Sequence, residues 1–323
     1  MASATARAHP NIAFIKYWGN QDSSLRIPVN SSMSMNLDGL FTETSVEWNP
    51  QFASDDIEIN HQPASDLAAQ RVIQHLNQIR KRYSVTDFAH VRSNNNFPMG
   101  AGIASSASSF AALTLAATKA AGLDLPEREL SSLARLGSGS ASRSIPSGYV
   151  EWYAGHDHES SYAESFALSD HWNLVDVVAV VSQSHKATGS TEGHQSAETS
   201  DLQAARVAGA ENRMAVCKSA ILERDFTTFA EVVERDSNLM HAVMMTSRPP
   251  LFYWLPTSLV IMQKVREWRD SGLRVCYTLD AGPNVHCLCL LPDSDQIAAA
   301  LKSIDGVSEV RLALAGAGAH LIN

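Results

Sequence analysis

HPNIAFIKYWGNQDSSLRIPVNSSMSMN, residues His9 to Asn36, is the segment from which the fold can be read most directly. It places an apolar run, Ile12 to Ile15, directly before Lys16. A cation at the end of a buried strand needs a partner, because burying an unpaired charge is costly. The segment therefore predicts a β-strand that delivers a lysine to a polar site.

A second segment, NNNFPMGAGIASSASSFAAL from Asn94 to Leu113, joins a Gly and Ser loop to the start of a helix. Gly100 and Gly102 let the backbone approach an anion, and a helix beginning near Ser105 points free N–H groups at the same place. The loop is not a Walker A motif, because no Gly-Lys-Ser/Thr follows the glycines. Hydroxyl groups that could bind phosphate or ligate Mg²⁺ belong to Ser105, Ser106 and Ser108. The alternative is a helix N-cap with small residues for packing.

Composition limits the function classes. The chain has 323 residues, 45% hydrophobic and 18% charged, which predicts a globular protein of two domains. A net charge of -9 argues against nucleic acid as a partner. The spacing of the four cysteines fits neither a metal site nor a disulfide framework, so we expect buried thiols. Without a long apolar run or a signal-like N-terminus, we expect a cytoplasmic protein with no membrane partner.

Strand and helix patterns alternate along the chain and favour an α+β protein. Strand patterns dominate residues 11–93, and helices follow the Gly and Ser loop at 105–121 and 126–136. Residues 201–222 read as one helix, and 155–169 read as an acidic loop. We place the domain boundary after residue 180, which gives domains 1–180 and 181–323.

Two further turns carry candidate charged residues. Arg143 stands alone among small residues in LGSGSASRSIPSGYVEW and could offer its guanidinium to a carboxylate or phosphate. Asp280 follows a predicted strand in the turn Asp-Ala-Gly-Pro-Asn. The alternatives are a surface arginine paired with an acid and an aspartate that only stabilises its own turn.

A polar turn with His185, Lys186 and Thr188 could also meet a substrate phosphate. None of the histidines has a metal-binding spacing such as HExxH, so we expect no structural metal.

Seven blocks in order resemble the mevalonate diphosphate decarboxylases, within the small-molecule kinases that include galactokinase, homoserine kinase and mevalonate kinase. The blocks are NIAFIKYWG, PVNSSMSM, NNFPMGAGIASSAS, SGSASRSIPSGYVEW, TGSTEGHQSAETS, RDSNLMHAV with PPLFYW, and TLDAGPNVH. The resemblance implies an N-terminal domain like ribosomal protein S5 domain 2 and a ferredoxin-like C-terminal domain. It also implies an ATP- and Mg²⁺-dependent decarboxylase of isoprenoid biosynthesis, and a homodimer.

The resemblance also implies residue roles. Asp280 would orient or deprotonate the tertiary 3-hydroxyl of a mevalonate moiety, Arg143 would hold its C1 carboxylate, and Lys16 would neutralise charge near the transferred phosphoryl group. Ser105 and Ser106 would cradle the ATP phosphates and Mg²⁺. Further substrate-binding residues would be Asn11, Tyr17, Asn20, Ser140, Ser190, Thr191 and His194. Further ATP-binding residues would be Ser93, Asn95, Gly100, Gly102 and Ser108.

The chain departs from the family at the phosphate-binding wall. Enzymes acting on the 5-diphosphate usually carry a lysine directly after Tyr-Trp-Gly, and here that residue is Asn20. Glu192 and His194 occupy a turn in which the family has a variable residue and a methionine. Loss of a cation favours a substrate with less phosphate, so we expect mevalonate 5-phosphate. The alternatives are mevalonate 5-diphosphate, a mevalonate 3-kinase without decarboxylation, and a catalytically silent relative that only binds metabolites or a partner protein.

Overall fold

The computed structural model describes residues 2–97, 105–182 and 189–322. The strands in this part of the chain are β1 (Ala2–Ala8), β2 (Asn11–Ile15), β3 (Asn20–Asp22), β4 (Ile27–Pro28), β5 (Ser32–Asn36), β6 (Thr42–Asn49), β7 (Asp56–Ile59), β8 (Gln62–Pro63), β9 (Phe88–Asn95), β10 (Tyr149–Trp152), β11 (Ala163–Ala167), β12 (Leu174–Val180), β13 (Val275–Thr278), β14 (Val285–Leu290), β15 (Glu309–Leu314) and β16 (His320–Ile322). The α-helices there are α1 (Asp66–Tyr83), α2 (Ser105–Ala120), α3 (Glu127–Gly137), α4 (Ser190–Ser196), α5 (Gln203–Ala208), α6 (Ala210–Glu223), α7 (Phe226–Thr246), α8 (Pro256–Asp270) and α9 (Leu291–Lys302).

The first sheet, ordered β16-β1-β6-β9-β7-β8, packs against α1 and α2. Helix α2 is rich in alanine and serine and is buried along almost its whole length. Small side chains allow it to lie close to β1 and β6, with Ala6, Val46 and Ala116 in one core. This packing fixes the start of α2 next to the polar ends of the strands.

A second sheet, β11-β10-β5-β2, faces a third, β13-β14-β12-β15, across the central core. Strand β12 is buried on both faces, so its sequence LVDVVAV shows little polar alternation. Leu174 and Val178 point to the central core, whereas Val175 and Val177 point to the core beneath α8 and α9. The ends of β2 and β13 thereby come together.

The α+β two-domain fold is confirmed. Strand β12 pairs with β14 and β15, and β16 near the C-terminus pairs with β1. A division by sheets would therefore fall before β12, whereas the boundary after residue 180 stays a prediction. All four cysteines are buried free thiols, as expected. In the described ranges, every helix is too short or too polar to cross a bilayer.

Two local predictions were wrong. Residues 201–222 do not form one helix. Helix α5 ends at Ala208, where the N–H of Gly209 donates to the Ala205 carbonyl, and α6 begins at Ala210. Glycine is a weak helix former, which makes this break cheap. The acidic loop 155–169 contains β11, which forms by pairing with β10. The local sequence does not predict this strand, because its stability comes from pairing with β10.

Candidate active site

Lys16 and Asp280 form an ion pair where β2 and β13 end, with the lysine buried and the aspartate partly exposed. Strand β2 ends at Ile15, and the next side chain, Lys16, is only 1% exposed. Its Nζ donates to Asp280 Oδ1 at 2.7 Å. The two strands are held side by side, since Thr278 Oγ1 donates to the Ala13 carbonyl at 3.4 Å. The lysine predicted to need a partner has one.

The environment favours the ionised form of Asp280. Burial opposes the carboxylate of Asp280, but the positive charges of Lys16, His286 and Arg143 outweigh it, and its pKa lies below the usual value. Burial lowers the pKa of Lys16, while Asp280 acts in the opposite direction. Asp280 is therefore a hydrogen-bond acceptor at neutral pH, placed to receive a hydroxyl group.

The backbone of Lys16 is clamped from both sides by buried charges. Asp236 Oδ2 accepts its N–H at 2.7 Å, and a nitrogen of Arg206 donates to its carbonyl at 2.6 Å. Arg213 Nε in turn donates to Asp236 at 2.6 Å. The sequence analysis missed these three residues. All three are charged residues at core-facing positions of helices, and no short sequence motif marks such positions.

Arg143 is a buried cation that has no paired acid in the part of the chain that the structure describes. It lies in a 3₁₀ segment, Gly139–Ser144, and is 3% exposed. Its guanidinium donates to Asn11 Oδ1 at 3.1 and 3.3 Å and to Ser32 Oγ at 2.7 Å. Burial lowers its pKa to about 10, and only the more distant charge of Asp280 offers attraction from an acid. A guanidinium in this state suits an incoming carboxylate.

Asn11 positions Arg143. Its amide nitrogen donates to the Ser140 carbonyl at 3.0 Å and to Ser144 Oγ at 2.8 Å. Its oxygen is occupied by Arg143, so all of its polar atoms are engaged within the protein. Asn11, which was predicted to bind the substrate directly, therefore contacts Arg143 and other protein groups with all of its polar atoms.

Tyr17, Asn20 and His194 form a neutral wall beside these charges. Tyr17 donates its hydroxyl proton to Asn20 Oδ1, and its ring stacks on His194 at 4.1 Å. The N–H of Gly19 donates to His194 Nδ1 at 2.9 Å, which requires an unprotonated nitrogen there. Burial and nearby arginines lower the pKa of His194 to about 3, so it carries no charge at neutral pH. Burial raises the pKa of Tyr17 to about 12.

A cleft of 230 Å³ opens between α1, α2 and the first sheet. Its polar lining includes Ser93, Ser105, Ser106 and Arg71, and its other walls are mostly apolar. Such a combination suits the flat base and the phosphates of a nucleotide. Ser106 Oγ lies 3.1 Å from Ser138 Oγ, which connects this cleft to the segment that carries Arg143.

Two predicted ATP-binding residues are engaged elsewhere. The hydroxyl of Ser108 is fully buried and lies 2.7 Å from Thr42 Oγ1, which also donates to Asn95 Oδ1. Neither Ser108 nor Asn95 lines the cleft.

Some predicted residues lie outside the described part of the chain. These are Gly100, Gly102, His185, Lys186 and Thr188. Ser190 and Thr191 begin α4, with no description of their side chains.

Comparison with known proteins connects this geometry to a family. A model described as diphosphomevalonate decarboxylase-like N-terminal domain matches residues 8–163, and one described as mevalonate 5-diphosphate decarboxylase C-terminal domain matches residues 176–313. The chain is 40% identical to diphosphomevalonate decarboxylase mvd1 of Aspergillus fumigatus over 325 residues, which covers 94% of this chain and 80% of that protein.

Solved structures agree with the family models. The structure of mevalonate diphosphate decarboxylase from Staphylococcus aureus has a TM-score of 0.94 at 36% identity, with 100% of this chain and 98% of that chain covered. The structure of MDDEF in complex with MVAPP, AMPPCP and magnesium also has a TM-score of 0.94 at 36% identity, with 100% and 99% covered. The chain belongs to the diphosphomevalonate decarboxylase family and is an ATP-dependent carboxy-lyase.

Proposed function

We propose that this enzyme converts (R)-mevalonate 5-phosphate to isopentenyl phosphate and releases ADP, phosphate and CO₂. The observation that carries the choice of substrate is the neutral wall of Tyr17, Asn20 and His194. Family members acting on the diphosphate usually carry a lysine where this chain has Asn20. A substrate with one phosphate group needs fewer cations at that wall.

The chemistry begins at Asp280. Its carboxylate accepts a hydrogen bond from the 3-hydroxyl of the substrate and orients the oxygen for attack on the γ-phosphoryl group of ATP. Because the pKa of Asp280 is lowered, it takes the proton only as the O–P bond forms and ADP leaves. Lys16 lies 2.7 Å from Asp280 and supplies positive charge beside the transferred group.

The second step breaks two bonds. The C3–O bond cleaves with release of phosphate, and the electron pair of the C1–C2 bond becomes the C2–C3 double bond as CO₂ departs. Arg143 would hold the C1 carboxylate until this step, because it is a buried guanidinium near Asp280 that has no paired acid among the described residues. The ionised carboxylate is the form that loses CO₂.

ATP and Mg²⁺ fit the cleft at the start of α2. The lining combines apolar walls with the hydroxyl groups of Ser105 and Ser106, and a helix N-terminus favours phosphate. Mg²⁺ would neutralise phosphate charge there, with Ser105 or Ser106 as an oxygen ligand. The relative MDDEF was solved with AMPPCP and magnesium.

The second candidate substrate is mevalonate 5-diphosphate, which the names of the relatives favour. The diphosphate carries about one more negative charge, and one missing charged contact weakens binding by roughly 1.5–3 kcal/mol, or about one to two decades. The absent lysine therefore works against this candidate. A mevalonate 3-kinase is the third candidate, and the presence of Arg143 beside Asp280 works against it.

One set of turnover assays tests the proposal. The purified enzyme is given each substrate with ATP and Mg²⁺, and ADP and CO₂ are measured in parallel. We expect a higher kcat/KM on mevalonate 5-phosphate with one CO₂ per ADP. A higher kcat/KM on the diphosphate would overturn the substrate choice, and ADP without CO₂ would favour the 3-kinase. The homodimer and the cytoplasmic location stay predictions.

A further inference from the structure

Arg26 lies at the tip of the hairpin that begins with Asn20. The hairpin is formed by β3 and β4, and Arg26 occupies the turn before β4 with a left-handed φ of 52°. Its Nε donates to the Leu136 carbonyl at 3.0 Å. Leu136 is the second-last residue of α3, directly ahead of the turn that contains Ser138 and Gly139. The hairpin is thus hydrogen-bonded to the end of α3, next to the substrate site.

The same turn is in close contact with Tyr17. A Cβ added to Gly139 would come within 2.5 Å of the Tyr17 ring, so the ring lies flush against the backbone there. Tyr17 in turn donates to Asn20 at the base of the hairpin. Arg26 is therefore connected to the neutral wall in two ways: through its bond to Leu136, close to Gly139, and through the hairpin that begins at Asn20.

The guanidinium of Arg26 has no acid partner in the described part of the chain. Its Nε is engaged with Leu136, and neither terminal nitrogen has a hydrogen-bond partner there. Some other arginines are paired with acids, for example Arg7 with Glu43 and Arg80 with Asp55. Positive charge from Arg26 also reaches Tyr17 and His194: at Tyr17 it opposes the rise in pKa that burial causes, and at His194 it adds to the fall in pKa that burial causes.

We propose that Arg26 is a specificity-determining residue whose guanidinium binds the phosphate group at C5 of the substrate. This inference rests on the proposed function and gives the phosphate a cation that the neutral side chains of the wall do not supply. If Arg26 only fastened the hairpin to α3, its Nε contact would be sufficient and the terminal nitrogens would need no ligand. A guanidinium can bind one phosphate group through two parallel hydrogen bonds.

The test is a kinetic comparison of Arg26→Gln, Arg26→Lys and wild type. For Arg26→Gln we expect the KM for the phosphorylated substrate to rise about 10- to 100-fold, the range for one lost charged contact. We expect kcat and the KM for ATP to change less than about threefold, since neither involves the C5 phosphate. Arg26→Lys keeps the charge and should fall between the other two. Arg266→Gln, which removes an exposed arginine on α8, should match wild type.

Unphosphorylated mevalonate separates recognition from structure. Used as a competitive inhibitor, it should bind wild type and Arg26→Gln equally, because it has no group for Arg26 to contact. Equal weakening of mevalonate and the phosphorylated substrate would assign Arg26 a structural role and overturn the proposal. A rise confined to the KM for ATP would also overturn it. The preference of wild type for one or two phosphates is measured separately, so a wrong substrate choice would leave the Arg26 result interpretable.

Discussion

At the Lys16 end of the site the charged groups are buried and fixed by partners, whereas at the Tyr17 end the wall is neutral and aromatic. Lys16 is bonded to Asp280 through its side chain and to Asp236 through its backbone. The opposite end offers stacked rings and Arg26, which has no acid partner among the described residues. The difference separates two tasks. Catalysis at the Lys16 end needs charges that are held in place, whereas recognition at the Tyr17 end needs a number of positive charges that matches the negative charge of the ligand.

The same comparison explains which end can change substrate without losing activity. The Lys16 backbone is bound to Asp236 and Arg206, so a substitution there disturbs a buried network. Asn20 is partly exposed at the start of β3, and its side chain accepts a hydrogen bond from Tyr17. Substrate choice can therefore shift at this wall while the catalytic pair stays in place.

The largest effect is expected from Asp280→Asn. The amide keeps the shape but cannot accept the proton of the 3-hydroxyl, so kcat should fall about 10³-fold, within the range for loss of a general base. The KM for ATP should stay within about threefold of wild type. Parallel measurement of ADP and CO₂ checks this, with the exposed Asp295→Asn on α9 as the control. Unaltered ATP consumption in Asp280→Asn would show that the reacting hydroxyl lies elsewhere.

Arg143→Gln should separate activity from stability. We expect kcat/KM for the substrate to fall about 10²-fold or more, because a buried charged contact with the carboxylate is lost. The free energy of unfolding should change by less than about 1 kcal/mol, since relief of an unpaired buried charge offsets the lost hydrogen bonds.

Substrate kinetics and urea unfolding measure the two effects of Arg143→Gln. A large loss of stability would mean that the fold, and not the substrate, depends on this guanidinium. Ser32→Ala is a matched control, because it removes one partner of Arg143 and leaves the charge.

Asn20→Lys tests the recognition end alone. A cation at this position should raise kcat/KM on mevalonate 5-diphosphate relative to the monophosphate by about 10-fold, at the lower end of the range for one charged contact. Asn20→Gln is the control, because it changes size without adding charge. The ratio of the two kcat/KM values is the measurement, and an unchanged ratio in Asn20→Lys would remove position 20 from phosphate recognition.

The sequence was informative where one short segment carries both the structure and the chemistry. Lys16 directly follows β2 and Asp280 lies two residues after β13, so local patterning placed each of them near a strand end. Arg143 was identified by its isolation among small residues. These three residues, which the sequence placed in one site, are brought together by the structure.

The remaining contacts could not be predicted because they depend on packing between distant segments. Asp236 lies 220 positions from Lys16, and nothing in its helix distinguishes it from a solvent-facing acid. Arg26 looks like an ordinary turn residue until the structure places it against Leu136. Charge that is buried by tertiary structure has no local sequence pattern, in contrast to apolar residues at helical spacing.

The smallest expected effect concerns His241 beneath the catalytic pair. This side chain on α7 is 1% exposed and lies 4.9 Å from the ring of Trp254. Burial and then the charge of Lys16 lower its pKa to about 3, although Asp280 and nearby backbone carbonyls act in the opposite direction. A proton on His241 would place a further positive charge near Lys16, and the repulsion between the two charges disfavours it.

The sign of the resulting pH dependence follows from linkage. Below about pH 6.5 the unfolded chain binds a proton at His241 that the folded protein does not, so the free energy of unfolding falls as the pH decreases toward about 3. One such group contributes a slope of about 1.4 kcal/mol per pH unit. Urea unfolding gives the free energy of unfolding at several pH values between about 7 and 5. The slope of this free energy against pH should be shallower for His241→Gln than for wild type. Equal slopes in wild type and His241→Gln would mean that the region around Lys16 accepts a further positive charge.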